Sequence, residues 1–119
     1  MEKQKIVQEI QKIIEGSNDF IILEFDGKKN YYIQFSIKSE TVIIGEAVSN
    51  YYLGEGNKLK PLQIQKLKEM KWFQNFDSDN FSREFTVLSE NDYEPIADMV
   101  LQIISEVYLV KEFVITYKI

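Results

Sequence analysis

Apolar residues recur at helical spacing at the start of the chain. Ile6, Val7, Ile10, Ile13 and Ile14 lie three, four and seven apart, which draws one stripe along a helix whose other face is Lys, Gln and Glu. Gly16, Ser17 and Asn18 supply the stop, so a helix is predicted over 2–15. The period then changes. Phe20 to Phe25 is short and almost wholly apolar and reads as a strand buried on both faces. Asp26-Gly27 opens a polar turn that runs to Asn30. Tyr31 to Lys38 alternates strictly, with Tyr31, Ile33, Phe35 and Ile37 on one side and Tyr32, Gln34, Ser36 and Lys38 on the other. That is a half-buried antiparallel strand. After Ser39-Glu40, Thr41 to Val48 is a third strand rich in β-branched residues.

The segment 49–60 is loosened by Gly54, Gly56 and Asn57 and reads as a connection. Pro61 fits the first turn of a short helix over 61–70 carrying Leu62, Ile64, Leu67 and Met70. Phe81, Arg83, Phe85 and Val87 alternate in a fourth strand over 81–88. Asn91 or Asp92 caps a last helix over 92–108, with Pro95 in its first turn. Its stripes, Ile96-Val100-Ile103-Val107 and Ala97-Leu101-Ile104-Tyr108, leave it apolar over much of its surface. Phe113, Ile115, Tyr117 and Ile119 alternate in a closing strand. The order α-β-β-β-α-β-α-β predicts an α+β domain. Its antiparallel sheet, a meander of three strands plus two further strands, carries helices packed on one face. One domain spans 1–119, since no repeat or linker divides the chain. The last helix and strand hold more apolar surface than a monomer easily hides, which raises a homodimer as an expectation.

Composition narrows the chemistry. The chain has 119 residues, no histidine and no cysteine, which removes Ser–His and Cys–His catalysis, disulfides and ordinary zinc sites. Net charge is −5. An acidic domain repels phosphate backbones and anionic membrane surfaces, so nucleic acid and membrane are not expected partners. A cationic peptide or basic protein face suits it, as does solubility alone. No apolar run approaches the about 20 residues of a membrane span, and the N-terminus does not read as a signal peptide, so a cytoplasmic location is expected. Thirteen Lys against one Arg, with abundant Ile and Asn, hints at an AT-rich bacterial genome.

Candidate constellations for chemistry are weak. Glu24, Asp26 and Glu46 are carboxylates expected on adjacent strands, but no spacing brings them together. Asp77-Ser78-Asp79-Asn80 opens like a calcium loop, yet the glycine and glutamate positions fall on Ser82 and Leu88. Gly54-Glu55-Gly56 is too short and acidic to cradle phosphate. No catalytic residue, cofactor or metal is therefore assigned. The remaining candidates are contact residues. Arg83 is the sole arginine and suits either a partner carboxylate or an internal pair with a glutamate such as Glu46. Trp72 and Phe73 suit an interface or a core plug. Tyr31, Tyr51 and Tyr52 complete the partner-binding set.

Several of these residues fall into a progression. Glu46-Ala47-Val48-Ser49-Asn50-Tyr51-Tyr52-Leu53 is followed by the proline-started helix with Leu62, Gln65 and Leu67. Lys71-Trp72 comes next, then Asn80-Phe81-Ser82-Arg83-Glu84-Phe85, and the last helix ends Glu106-Val107-Tyr108. Over 40–108 the chain resembles the TY-Chap/YbjN-type domains, which are similar in fold to type III secretion chaperones. It departs at Lys71, where those domains usually carry glycine before the tryptophan. The resemblance implies an α/β sandwich, often dimeric. It also implies a non-catalytic, chaperone-like or adaptor role, holding a protein client by strand addition or groove contacts. Two other readings of the residues stand beside it: an immunity-type protein that neutralises a toxin, and a small enzyme working through carboxylates or lysine.

Overall fold

A computed structural model describes residues 2–119. The elements run α1 (Glu2–Ile14), β1 (Phe20–Asp26), β2 (Tyr31–Ser39), β3 (Val42–Ala47), α2 (Pro61–Glu69), β4 (Phe81–Thr86), α3 (Tyr93–Gln102) and β5 (Thr116–Lys118). This is the α+β order expected from the pattern. All five strands join one antiparallel sheet in the order β4-β3-β2-β1-β5, so β4 and β5 are its edges.

Local chemistry sets the ends of the helices. Gly16, at φ 86°, lets the Ser17 and Gly16 amides donate back to the Lys12 and Ile13 carbonyls, closing α1 in a Schellman motif. The Asp92 carboxylate accepts from the Leu88 and Ser89 amides at 2.7 and 3.1 Å, which caps the turn leading into α3. The final helical segment is not one regular helix. Past Gln102 it widens into a π turn over Ile103–Val107, closed by the Tyr108 amide on the Ile103 carbonyl.

Register decides sidedness. Leu23, Ile33, Ala47 and Phe81 form one cross-strand row, and Ile21, Phe35, Gly45 and Arg83 form the next. Both rows face the helices, where Ile6, Ile10 and Ile13 of α1 meet Ile96, Ala97 and Val100 of α3 in a single core. The π turn adds Ile103, Ile104 and Val107. Of the two stripes of the last helix, all but Leu101, which is half-buried, are thus buried within the chain.

Burial on both faces, as expected for β1, does not occur. Ile21, Leu23 and Phe25 are buried, while Ile22 and Glu24 on the opposite side are half-buried and Phe20 is exposed. Among the described residues none of α1, α2 and α3 packs on that side of the sheet, so an unbroken apolar run here lies in a one-sided strand. The closing strand is also shorter than expected. Only Thr116–Lys118 pair, against Ile22–Glu24 of β1. Among the described residues no helix is long and apolar enough to cross a membrane.

Candidate functional site at the free edge of the sheet

The edge strand β4 carries the features that matter. Phe73 pairs with Ser82 as an isolated bridge, the Phe73 amide donating to the Ser82 carbonyl at 3.0 Å and the Ser82 amide returning at 2.7 Å. The backbone of Ser82 therefore points away from β3. Strand backbones alternate, so the N–H and C=O of Glu84 and Thr86 point away from β3 too. Val87, of opposite parity, bonds inward to the Thr41 carbonyl at 2.7 Å. Among the described residues no protein group pairs with the outward groups of Glu84 and Thr86. Phe73 blocks the edge at one end, and a three-residue stretch is left open.

Along that stretch lies a groove of about 260 Å³ between β4 and α3. Phe85, Pro95, Ile96 and Met99 give it an apolar wall, and Arg83 lines it together with Thr86 and Asp92. Arg83 stands on the helix-covered side of β4. Its Nη1 donates to the Met70 carbonyl at 2.6 Å, beside the end of α2, and lies 3.5 Å from Met99 Sδ. The guanidinium sits 4.9 Å over the Phe85 ring. It forms no ion pair with any described carboxylate.

The internal pair with Glu46 is therefore absent. Glu46 pairs with Ser82 in register and shares the uncovered side of the sheet, opposite to Arg83. Glu84 also faces that side, where Lys38 Nζ holds it at 2.8 Å.

The sequence-based contact residues divide. Trp72 and Phe73 come together with Arg83 at β4, but Trp72 is 0% exposed and is a core plug between Phe85 and Met99. Tyr31 is buried as well. It packs on Phe25 and Tyr108 and donates its hydroxyl to the Asn57 carbonyl at 2.7 Å, so it offers no surface to a partner. Its burial, and then the charge of Asp26, raises its pKa. Tyr51, Tyr52 and Phe73 are exposed. Tyr51 and Tyr52 meet edge to face at 5.0 Å, and the Tyr52 hydroxyl donates to the Ser78 carbonyl. That pair lines cavities other than the β4 groove.

The carboxylates do not converge. β2 separates β1 from β3, so Glu24 and Glu46 are not on adjacent strands, and Glu24 is held by Lys118 Nζ at 2.9 Å. Asp79 Oδ2 accepts the Phe76 amide and closes a turn. Among the described residues no three acidic side chains come together as a metal ion would require.

Sequence reasoning missed Glu84 and Thr86 as edge groups and Ile96 and Met99 as groove wall. The alternation of β4 signals which side chains share a face. Which strand lies at the edge is a matter of topology. No protein-family model, curated protein or solved structure matches the chain. The likeness to TY-Chap/YbjN-type domains rests on the quoted motifs.

Proposed function

We propose that this chain is a non-catalytic protein-binding domain, chaperone-like or adaptor in role, that holds an extended segment of a protein client. The segment joins β4 by strand addition and rests a side chain in the adjoining groove. The observation that carries this reading is the pair of outward, unpaired backbone positions at Glu84 and Thr86 beside an apolar wall. Strand addition needs no more than a free edge and a pocket for alternate side chains.

The magnitude fits transient holding. Two edge residues offer four backbone hydrogen bonds, together about 4 kcal/mol, and one buried apolar side chain adds about 2 kcal/mol. A sum of about 6 kcal/mol corresponds to a Kd of some tens of micromolar before ordering costs. Two copies pairing β4 to β4 across a twofold axis would use the same edge, and such a homodimer would compete with the client.

Thr86→Pro tests the reading. Proline removes the outward N–H of an edge residue and leaves the β3 ladder intact. Proteins captured from the source cells by the wild type should be lost on the variant. Amide exchange at Glu84 and Thr86 should slow when a captured protein is bound. Identical capture by both proteins, or unchanged exchange, refutes the proposal. Light scattering across a concentration series decides the dimer.

A further inference from the structure

The β4 groove combines features that together fit one kind of segment. The open edge is short and closed at one end, because Phe73 already occupies the backbone of Ser82. A chain lying along Glu84 and Thr86 cannot continue past that point as a strand. It must leave the sheet or end there. At the closed end stands the chain's sole arginine, half-buried, with no described carboxylate in ion-pair contact. Guanidinium presents five N–H donors in a planar fork suited to a carboxylate. Among the described residues the only oxygen that Arg83 bonds is the Met70 carbonyl, through Nη1.

We infer that the segment held at β4 is a partner's C-terminal tail, its free α-carboxylate bound by Arg83. This inference rests on the strand-addition reading above and names the partner's chemistry. A tail whose last residue lies at the closed end runs from Thr86 toward Ser82, antiparallel to β4, which is the better-bonded arrangement. The residue opposite Phe85 then points to the same side as Phe85 and enters the groove against Ile96 and Met99. An apolar residue fits there. Charge complementarity also separates a terminal carboxylate from acidic side chains. Asp92 lines the groove, Glu84 lies on the edge itself, and the chain carries a net charge of −5, so further anions along the tail are repelled. The preferred tail is apolar near its end, poor in Asp and Glu upstream, and anionic only at its terminus.

Two phage libraries of random octapeptides test this. One displays peptides with a free C-terminus and the other displays them at the N-terminus of the coat protein, and both are selected on the full chain. The strongest peptides are then synthesised as the acid and as the amide and titrated by fluorescence polarisation. The acid is expected to bind at least tenfold more tightly than the amide. Arg83→Gln should bring the two together, and Thr86→Pro should abolish both. The amide comparison needs no variant, so it decides even if Arg83→Gln fails to fold. Equal binding of acid and amide, or enrichment of internal Asp and Glu from the second library, overturns the tail inference. If Thr86→Pro still abolishes that binding, strand addition itself survives. Binding that ignores Thr86→Pro, or no binder from either library, overturns both.

Discussion

Gly45 is the position where adding one methyl group should do the most damage for its size. It lies on β3 between Phe35 and Arg83 in the cross-strand row that faces the helices. A Cβ at this position would stand 2.7 Å from Trp72 Cη2, 2.9 Å from Phe35 Cε1 and 3.2 Å from Trp72 Cζ3. Carbon atoms are comfortable at about 3.5–4.0 Å, so both rings would have to retreat by several tenths of an ångström. Neither has room. Trp72 and Phe35 are fully buried, and the indole is fixed by its Nε1–H on Met99 Sδ at 3.3 Å and by edge contact with Phe85 at 5.8 Å between centroids. Overpacking of this kind costs about 3 kcal/mol. The lower chain entropy of unfolded alanine offsets about 0.5–1 kcal/mol. Gly45→Ala should therefore destabilise the chain by about 2 kcal/mol, a drop in Tm of about 8 °C for a domain of this size. Urea unfolding followed by circular dichroism measures it. Trp72→Phe removes the clashing part of the indole, so the double variant should be more stable than the summed single effects imply, by about 1 kcal/mol or more. An unchanged or raised Tm for Gly45→Ala, or strict additivity, would show that Trp72 does not sit over Gly45.

Other expectations concern the closed end of the β4 site and a buried carboxylate of α1. Lys71 follows the Met70 cap of α2 at φ 71°, with the Trp72 and Lys71 amides bonded back to the Leu67 and Lys68 carbonyls. Lys71→Gly should therefore raise stability by about 1 kcal/mol in urea titrations, and a loss would contradict the left-handed cap. Arg83→Gln should cost about 1–2 kcal/mol through the Met70 carbonyl bond and the stack on Phe85, and unchanged stability would remove its structural role. Glu9 is buried between Lys5 and Lys12, at 3.0 and 3.1 Å. Desolvation pushes its pKa up, but the two ammonium groups outweigh it and hold the folded value below the ordinary carboxylate range. A lowered folded pKa contributes stability above the unfolded pKa and loses it as pH falls through the folded one. Glu9→Gln should flatten the acid limb of the urea midpoint against pH, and parallel wild-type and variant curves would refute this.

Some of this molecule is legible from its residues and some is not, and the difference is one of range. The Tyr31–Lys38 alternation could be read directly because period and burial agree there. β1 misled because Ile22 extends an apolar run without being covered, and coverage depends on where α1 and α3 lie. Arg83 shares its face of β4 with Phe81 and Phe85, as the alternation predicts, since that is local parity. Its supposed pairing with Glu46 failed because the cross-strand register puts Glu46 with Ser82 on the opposite side. The slot for Trp72 likewise depends on Gly45, which lies far from it in sequence. The candidate site was least legible of all, because a free edge belongs to the strand order rather than to any residue. Sheet edges invite unwanted pairing, and proteins blunt them with charge, covering loops or brevity. At β5 brevity and Lys118 do this, and at Ser82 the Phe73 bridge does it. At Glu84 the charge is paired with Lys38. The stretch from Glu84 to Thr86 is thus the part of the β4 edge left unblunted. It is bordered by an apolar wall and by an arginine that no described carboxylate pairs, and that coincidence is the reason to look for a partner there.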